Sequence, residues 1–334
     1  MRKKVLLSAV FLLFAAAITL PVAAQNIIPQ PENISLLKGH FKLNKGEKIV
    51  TNLTGNDFKV LNQYTSEVLK HPLAYAKNPS KQGTFRLICK GTAQQAAQAM
   101  DSVRLQGYEL EVTPAGITIQ ALTPTGLFYG LQTVRQLEKD GQIACVKVKD
   151  APRFAYRGLM IDCSRHFWTK DFLKKQIDAM AYFKLDRFHW HLTDGGGWRM
   201  EVKKYPRLTD ETAYRTESDW TKWWNGKHRE YIPNPSRLVC WKGMNIHGGY
   251  YTQEDIKDIV RYAAARHIEV IPEIEMPGHS DEVVYAYPEL SCTGKPYTQS
   301  DLCVGKEATY TFMENVLKET MALFPSKYIH IGGD

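Results

Sequence analysis

The chain has 334 residues, 44% apolar and 23% charged, with 43 Lys and Arg against 35 Asp and Glu for a formal net charge of +8. The length suits two domains with a sizeable core, and the composition is that of an ordinary globular protein rather than a low-complexity or repeat chain. The positive charge is spread, with no dense Lys/Arg stripe, which argues against nucleic acid as a partner.

Residues 1–24 read as a signal peptide. "MRKK" is a basic start, "VLLSAVFLLFAAAITL" an apolar run, and Val22 and Ala24 are small residues set for cleavage before Gln25. The alternative is an uncleaved membrane anchor, because the run approaches spanning length. Gln25, not a cysteine, stands directly after the cleavage position, so a bacterial-type lipid anchor is not indicated, and no later segment is apolar and long enough to span a bilayer. The expectation is an exported protein, periplasmic or extracellular, without a stable membrane anchor. Loss of Arg2, Lys3 and Lys4 with the leader leaves a net charge near +5.

Residues 25–150 mix strands and helices. In "YELEVTPAGITIQA", Tyr108, Leu110 and Val112 alternate, Pro-Ala-Gly turns, and Ile117 and Ile119 alternate back, which predicts a hairpin. Leu127, Leu131, Val134 and Leu137 then recur at helical spacing, and "IACVKVKD" reads as a further strand. "DAPRF" at 150–154 is a candidate domain boundary.

The rhythm then changes to strand-helix repeats. "YRGLMIDCS" is a short apolar strand; Thr169 caps a helix carrying Leu173, Ile177 and Met180; "RFHWHLTD" is the next strand. A long polar and aromatic segment fills about 195–250. Thr252 and Asp255 form a capping box for a helix with Ile256, Ile259, Val260, Ala263 and Ala264, and "HIEVIPEIEMP" is a strand. A helix with Met313, Val316, Leu317 and Leu323 ends at Pro325, and "YIHIGGD" reads as a buried strand. Repeated βα units argue for a parallel sheet. Each strand ends in Asp162, Asp194, the Glu275/His279 group or Asp334, as on the active-site face of a (β/α)₈ barrel. The predicted class is α/β: an N-terminal α+β domain (25–150), then the first half of a TIM barrel (151–334, about four βα units).

Several tips admit both a bland and a chemical reading. Asp194 precedes three glycines, so it is either a turn residue or a carboxylate beside a close-approach loop. Glu273 and Glu275 share one strand face, and His279 follows a Pro-Gly turn, where it either orients an acid or lies in a surface loop. All seven tryptophans fall between Trp168 and Trp241; Trp190 reads as core, while Trp220, Trp223 and Trp224 in the long loop are candidates for a sugar-stacking rim. His189 and His191 share a strand face and raise a rival reading, a metal-dependent amide or ester hydrolase, but no convincing set of further ligands accompanies them, so no metal is assigned. Of six cysteines none forms a CxxC pair; Cys292 and Cys303 are the best candidates for a disulfide, with two free thiols as the alternative, and Cys163 reads as packing.

Together "RGLMIDCSRHFW", "FHWHLTDGGGWRMEVKKYPRLT", "GGYYTQEDI", "VIPEIEMPGHS" and "YIHIGGD" resemble glycoside hydrolase family 20, the β-N-acetylhexosaminidases, in that family's order and over most of 153–334. Residues 25–150 are similar to the family's accessory N-terminal domain. The resemblance implies removal of terminal β-linked N-acetylglucosamine or N-acetylgalactosamine by substrate-assisted retention, with no cofactor and with N-acetylhexosamine-terminated glycans as partners. It implies that Asp334 polarises the 2-acetamido group, that a glutamate acid/base follows it, and that Asp194 and His279 support that glutamate. It places Arg157 on the sugar hydroxyls and Glu275 in structural support. "TDGGG" departs from the family's "TDDQ"-like string, which puts rim hydrogen bonds in doubt. With Asp334 as the last residue, the expectation is a truncated chain inactive alone; the alternative is a non-catalytic glycan-binding or vestigial fragment.

Overall fold

In the computed structural model, which describes residues 27–226, 230–237, 245–296 and 298–333, the chain separates into two units at Arg153/Phe154. Residues 1–26, which include the expected signal peptide, and Asp334 lie outside the described residues.

The first unit contains β1 (Asn33–Lys42), β2 (Ile49–Thr51), α1 (Gly55–Tyr64), β3 (Leu73–Tyr75), β4 (Phe85–Cys89), α2 (Ala93–Ala97), β5 (Tyr108–Thr113), β6 (Gly116–Ala121), α3 (Pro124–Leu137), β7 (Glu138–Lys139) and β8 (Gln142–Asp150). Its sheet runs β1-β8-β5-β6-β4-β2-β3, with β7 on β8. The expected hairpin forms with Tyr108 opposite Ala121 and Thr113 opposite Gly116. Alternation sends Tyr108, Leu110 and Val112 inward and leaves Glu109 and Glu111 outside. Helix α3 is buried at every residue but Arg135. Two glycines permit that depth: a Cβ on Gly130 would stand 2.5 Å from Ile119 Cγ2, and one on Gly126 2.4 Å from the Gly107 carbonyl.

The second unit is built on β9 (Gly158–Asp162), α4 (Lys170–Tyr182) and β10 (Arg187–His191), then the excursion α5 (Arg207–Thr212), β11 (Tyr214–Arg215), α6 (Trp220–Trp224), β12 (Tyr231–Ile232) and β13 (His247–Gly248). It continues with α7 (Gln253–Ala264), β14 (Glu269–Glu273), α8 (Asp281–Ala286) and α9 (Glu307–Leu323). Strands β9, β10 and β14 are parallel neighbours in chain order, β10 reached through α4 and β14 through α7, the arrangement of successive strands in a (β/α)₈ barrel. All their C-terminal ends lie at one edge. Among the described residues, no helix is long and apolar enough to cross a membrane.

The local signals form as read. Thr169 Oγ1 accepts from the Phe172 N–H, and Leu173, Ile177 and Met180 of α4 are buried. At α7, Thr252 Oγ1 accepts from the Asp255 N–H at 3.1 Å while Asp255 Oδ2 accepts from the Thr252 N–H at 3.0 Å. Thr252→Ala is expected to cost about 1 kcal/mol, read as a lower denaturation midpoint at unchanged slope.

Two expectations are corrected. Residues 328–331 make a single bridge to Glu273, and Tyr328 and Ile331 are 61% and 47% exposed rather than buried. Backbone pairing to β14 holds the segment, through His330 N–H to the Pro272 carbonyl at 2.9 Å, but no other described strand pairs with it. Helix α9 buries Thr309, Phe312, Val316, Thr320 and Leu323, not the face through Met313 and Leu317. Its threonines hide in the core by bonding backbone carbonyls, Thr309 that of Cys303 and Thr320 that of Val316. A polarity count therefore misplaces the stripe.

Candidate active site

The three strand tips converge on one carboxylate. Asp194, fully buried just beyond β10, takes Arg165 Nη2 at 2.6 Å on Oδ2 and His279 Nδ1 at 3.5 Å on Oδ1. Arg165 also reaches Asp162 Oδ2 at 2.8 Å, so it ties the β9 tip to the β10 tip. Gly196 makes this possible, because a Cβ there would stand 2.7 Å from Arg165 Cα. His279 has φ +48° and is 39% exposed, so one side of its ring faces solvent. Ser300 and Leu302 pack on its turn: the Ser280 N–H donates to the Ser300 carbonyl at 2.7 Å, and the Leu302 N–H to the Pro277 carbonyl at 2.9 Å. Cys292 and Cys303 are joined by a disulfide beside them.

Beneath the tips lies a histidine-carboxylate layer. His191 Nε2 is 3.3 Å from Glu275 Oε1, and Glu273 joins His189 at 2.6 Å and His330 at 2.7 Å. Gly332 passes directly over Glu275, where a Cβ would meet Oε2 at 1.5 Å. Burial pushes the Asp194 carboxyl up to about 6, against the pull of Arg165, His279 and His191. Burial pulls His191 down, but Glu275 and the neighbouring carboxylates outweigh it and hold the imidazole above its ordinary value. Glu282, fully buried behind the cluster, is pushed well above the ordinary carboxyl range by burial, with Asp194, Asp281 and Glu275 pushing the same way. Two groupings have ligand-capable atoms within 4.8 Å of one another, His189/Glu273/His330 and His191/Glu273/Glu275. The sequence alone offered only the histidine pair. In the fold Glu273 spans His189 and His330, one carboxylate oxygen to each.

Asp194, His279 and Glu275 are thus brought together. Arg157 is not among them. It precedes β9 at the opposite end of the strands, with Nη1 3.0 Å from Asp186 Oδ2, Nε donating to the Lys184 carbonyl and its N–H to Asp186 Oδ1. The arginine at the site is Arg165. The signal was available: in a parallel βα array functional side chains follow a strand rather than precede it. Trp223 is also corrected. It is 3% exposed, donates from Nε1 to the Glu230 carbonyl and packs on Tyr231. Trp220 is half-buried with Arg165 5.8 Å from its ring centroid, and Trp224 lies 3.2 Å from where a Gly195 Cβ would stand. Asp334 lies outside the described residues. Trp190 is core, and burial pushes the Cys163 thiol beside it up to about 11.

Sequence reasoning missed Arg199 entirely. It is buried, and its guanidinium donates to the carbonyls of Cys163, Ser164, Gly196, Ala213 and Gly249, binding together the loops after β9 and β10 and the strands of the excursion. Here the glycines of "TDGGG" supply carbonyls instead of side chains: Gly195 accepts from the Tyr231 hydroxyl at 2.7 Å, and Gly196 from Arg199 and Arg215.

Family models match both units: "Glycosyl hydrolase family 20, catalytic domain" over residues 154–334 and "Glycosyl hydrolase family 20, domain 2" over residues 24–151. The chain is 40% identical to a beta-hexosaminidase of Porphyromonas gingivalis over 248 residues, covering 69% of this chain and 29% of that protein. It is 34% identical to a beta-hexosaminidase of Vibrio furnissii over 325 residues, covering 93% and 49%. Among solved structures it is similar to the exo beta-N-acetylglucosaminidase of Vibrio harveyi in complex with N-acetylglucosamine, with TM-score 0.72, 30% identity and coverage of 93% of this chain and 47% of that one. It is also similar to the N-acetyl-beta-hexosaminidase of Streptomyces plicatus in complex with Thio-NAglucal, with TM-score 0.72, 33% identity and coverage of 92% and 59%. The chain therefore spans half or less of the curated relatives named here.

Proposed function

The chain belongs to glycosyl hydrolase family 20, and from that premise we propose that its enzyme removes terminal β-linked N-acetylglucosamine or N-acetylgalactosamine from glycans. The observation that carries this reading is the Arg165–Asp194–His279 chain at the strand tips. In the proposed reaction the substrate's acetamide oxygen attacks the anomeric carbon, the bond to the leaving oxygen breaks, and that oxygen takes a proton from the general acid. A cyclic oxazolinium-type intermediate results, which water opens with retention. Holding the nucleophile on the substrate gives the advantage of an intramolecular step.

The residues of this chain divide the work. Asp334 accepts the acetamide N–H and stabilises the positive charge that grows on the ring as the oxygen attacks. His279, on the open side of the cluster, contacts the acid/base glutamate that the resemblance places after Asp334, and Asp194 orients the imidazole and stabilises its charged form. Arg165, held flat between Asp162 and Asp194, presents its remaining edge to the sugar hydroxyls. Trp220 and Trp224 flank the entrance with aromatic faces for the apolar side of a pyranose. We also propose export. The basic-apolar leader and the Cys292–Cys303 disulfide, a bond that persists in oxidising compartments, support it.

The test is the product of the complete coding sequence assayed on an aryl N-acetyl-β-glucosaminide, with the aryl β-glucoside as control. Release from the acetamido sugar alone supports the reading. Equal release from both, or from neither, overturns it.

A further inference from the structure

Beside the strand-tip site lies a second concavity of about 240 Å³, lined by His166, Phe167, Arg199, Arg215, Ser218 and the stretch 246–248. It is smaller than the ~300–1,000 Å³ of pockets that enclose whole drug-sized ligands, so it suits a substituent rather than a sugar ring. Its two guanidiniums are fixed entirely by backbone. Arg215 donates to the carbonyls of Arg165, Gly196, Glu217 and Ser218, and Arg199 to the five carbonyls already named. Neither arginine has a carboxylate among these hydrogen-bond partners, so two positive charges face the cavity without a counterion in its lining. The acids that Arg215 feels are Asp162, Glu217 and Asp219. Asp162 is held by Arg165, Asp219 caps α6, and Glu217 accepts the Asp219 N–H. Among the described residues, the ring nitrogens of His166 and His247 have no hydrogen-bond partner in the protein. Burial lowers the His166 imidazole below its ordinary value, and Arg215, Arg199 and His247 push it further the same way, which marks where the positive field converges.

We propose that this cavity is an oxyanion pocket that receives an anionic oxygen group of the glycan, a sulfate ester or a carboxylate, while the terminal N-acetylhexosamine occupies the strand tips. The glycan part rests on the function proposed above. The geometry ties the two sites, because Arg215 bonds the Arg165 and Gly196 carbonyls and the cavity and the Asp194 cluster share that wall. An oxyanion would take N–H bonds from His166 and His247 and the field of both arginines, whose guanidiniums cannot lose their charge near neutral pH.

The test follows the imidazole resonances of the whole chain at constant ionic strength. Inorganic sulfate is added first, then N-acetylglucosamine, its 6-sulfate, and a disaccharide of N-acetylglucosamine β-linked to glucuronic acid. Saturable sulfate shifts at His166 and His247, with a rise in the His166 titration midpoint, are expected, and are lost in His247→Ala. His166→Gln is the second variant, and the unchanged tryptophan emission of either one certifies its fold. The 6-sulfate, the glucuronate disaccharide or both should bind about tenfold more tightly than the neutral sugar, the size of one charge-assisted hydrogen bond, and which of them gains tells the two sources apart. Shifts that never saturate, or that persist in both variants, overturn the pocket. Saturable sulfate binding with no gain for either anionic sugar overturns the glycan assignment. Failure of neutral N-acetylglucosamine to bind counts against the hexosaminidase reading alone, since the sulfate arm still decides the pocket.

Discussion

Replacing Arg199 by alanine is expected to destabilise the second unit by about 3–5 kcal/mol, the scale seen when a buried charged network is broken. The side chain fills the junction of the β9 and β10 tips with the excursion, and its five N–H groups are matched by five carbonyls. Removing it orphans all five in a space that water cannot fill without loosening the loops, and each buried unsatisfied group costs about 1–3 kcal/mol before relaxation. Burial and the neighbouring Arg215 lower the guanidinium to about 10, so it stays charged at neutral pH, and its N–H groups end on carbonyl oxygens. Arg199→Lys keeps the charge but has three donors on one flexible tip, so an intermediate loss is expected. All seven tryptophans lie in this unit, so the emission change in a urea titration reports its unfolding alone. A loss below about 1 kcal/mol for the alanine variant would mean that the carbonyls find other partners and that Arg199 is not the keystone described.

Asp194→Asn separates activity from stability. In the active enzyme it is expected to lower kcat by about 10²–10⁴, the range of general acid-base assistance, because the amide cannot stabilise a charged His279. The pH dependence gives the second readout. Asp194 is raised in the fold to about 6, so the folded protein binds this proton more tightly than the unfolded chain does. Its contribution to stability is therefore fully present below the ordinary carboxyl range and is lost as pH rises through about 6. The asparagine variant should lack that decline and equal or exceed the parent in stability at pH 7–8, while the acidic limb of kcat/KM near pH 6 disappears. A variant that loses activity only in proportion to lost stability would reduce Asp194 to a structural group.

Elements carried by near-neighbour chemistry were legible in the residue string. The 108–121 hairpin needs only alternation and a turn, and the α4 and α7 starts need only a threonine three residues before a free N–H. The strand-helix rhythm, and hence the parallel array with Asp194 and His279 at its tips, followed from periods that a chain displays without knowing its neighbours. What failed depended on what lies across a gap in sequence. Arg157 and Arg165 flank one strand, and although the βα rhythm already favours the one that follows it, only the fold shows Arg157 paired with Asp186 and Arg165 with Asp194. Trp220 and Trp223 are three residues apart on one short helix, and only Tyr231 and the Glu230 carbonyl decide that the second is buried. Arg199 looked like an ordinary cation until five carbonyls from separate loops were found around it.

The amino-acid order alone therefore determined the periodic elements, their caps and the types of residue at the strand ends, because backbone geometry and local hydrogen bonding act within a few residues. The tertiary structure decided which of those residues meet, which charges are buried and which guanidiniums face a cavity. Desolvation and long-range pairing depend on groups 32 to 117 positions apart, such as Asp162, Asp194 and His279, and no local pattern encodes them.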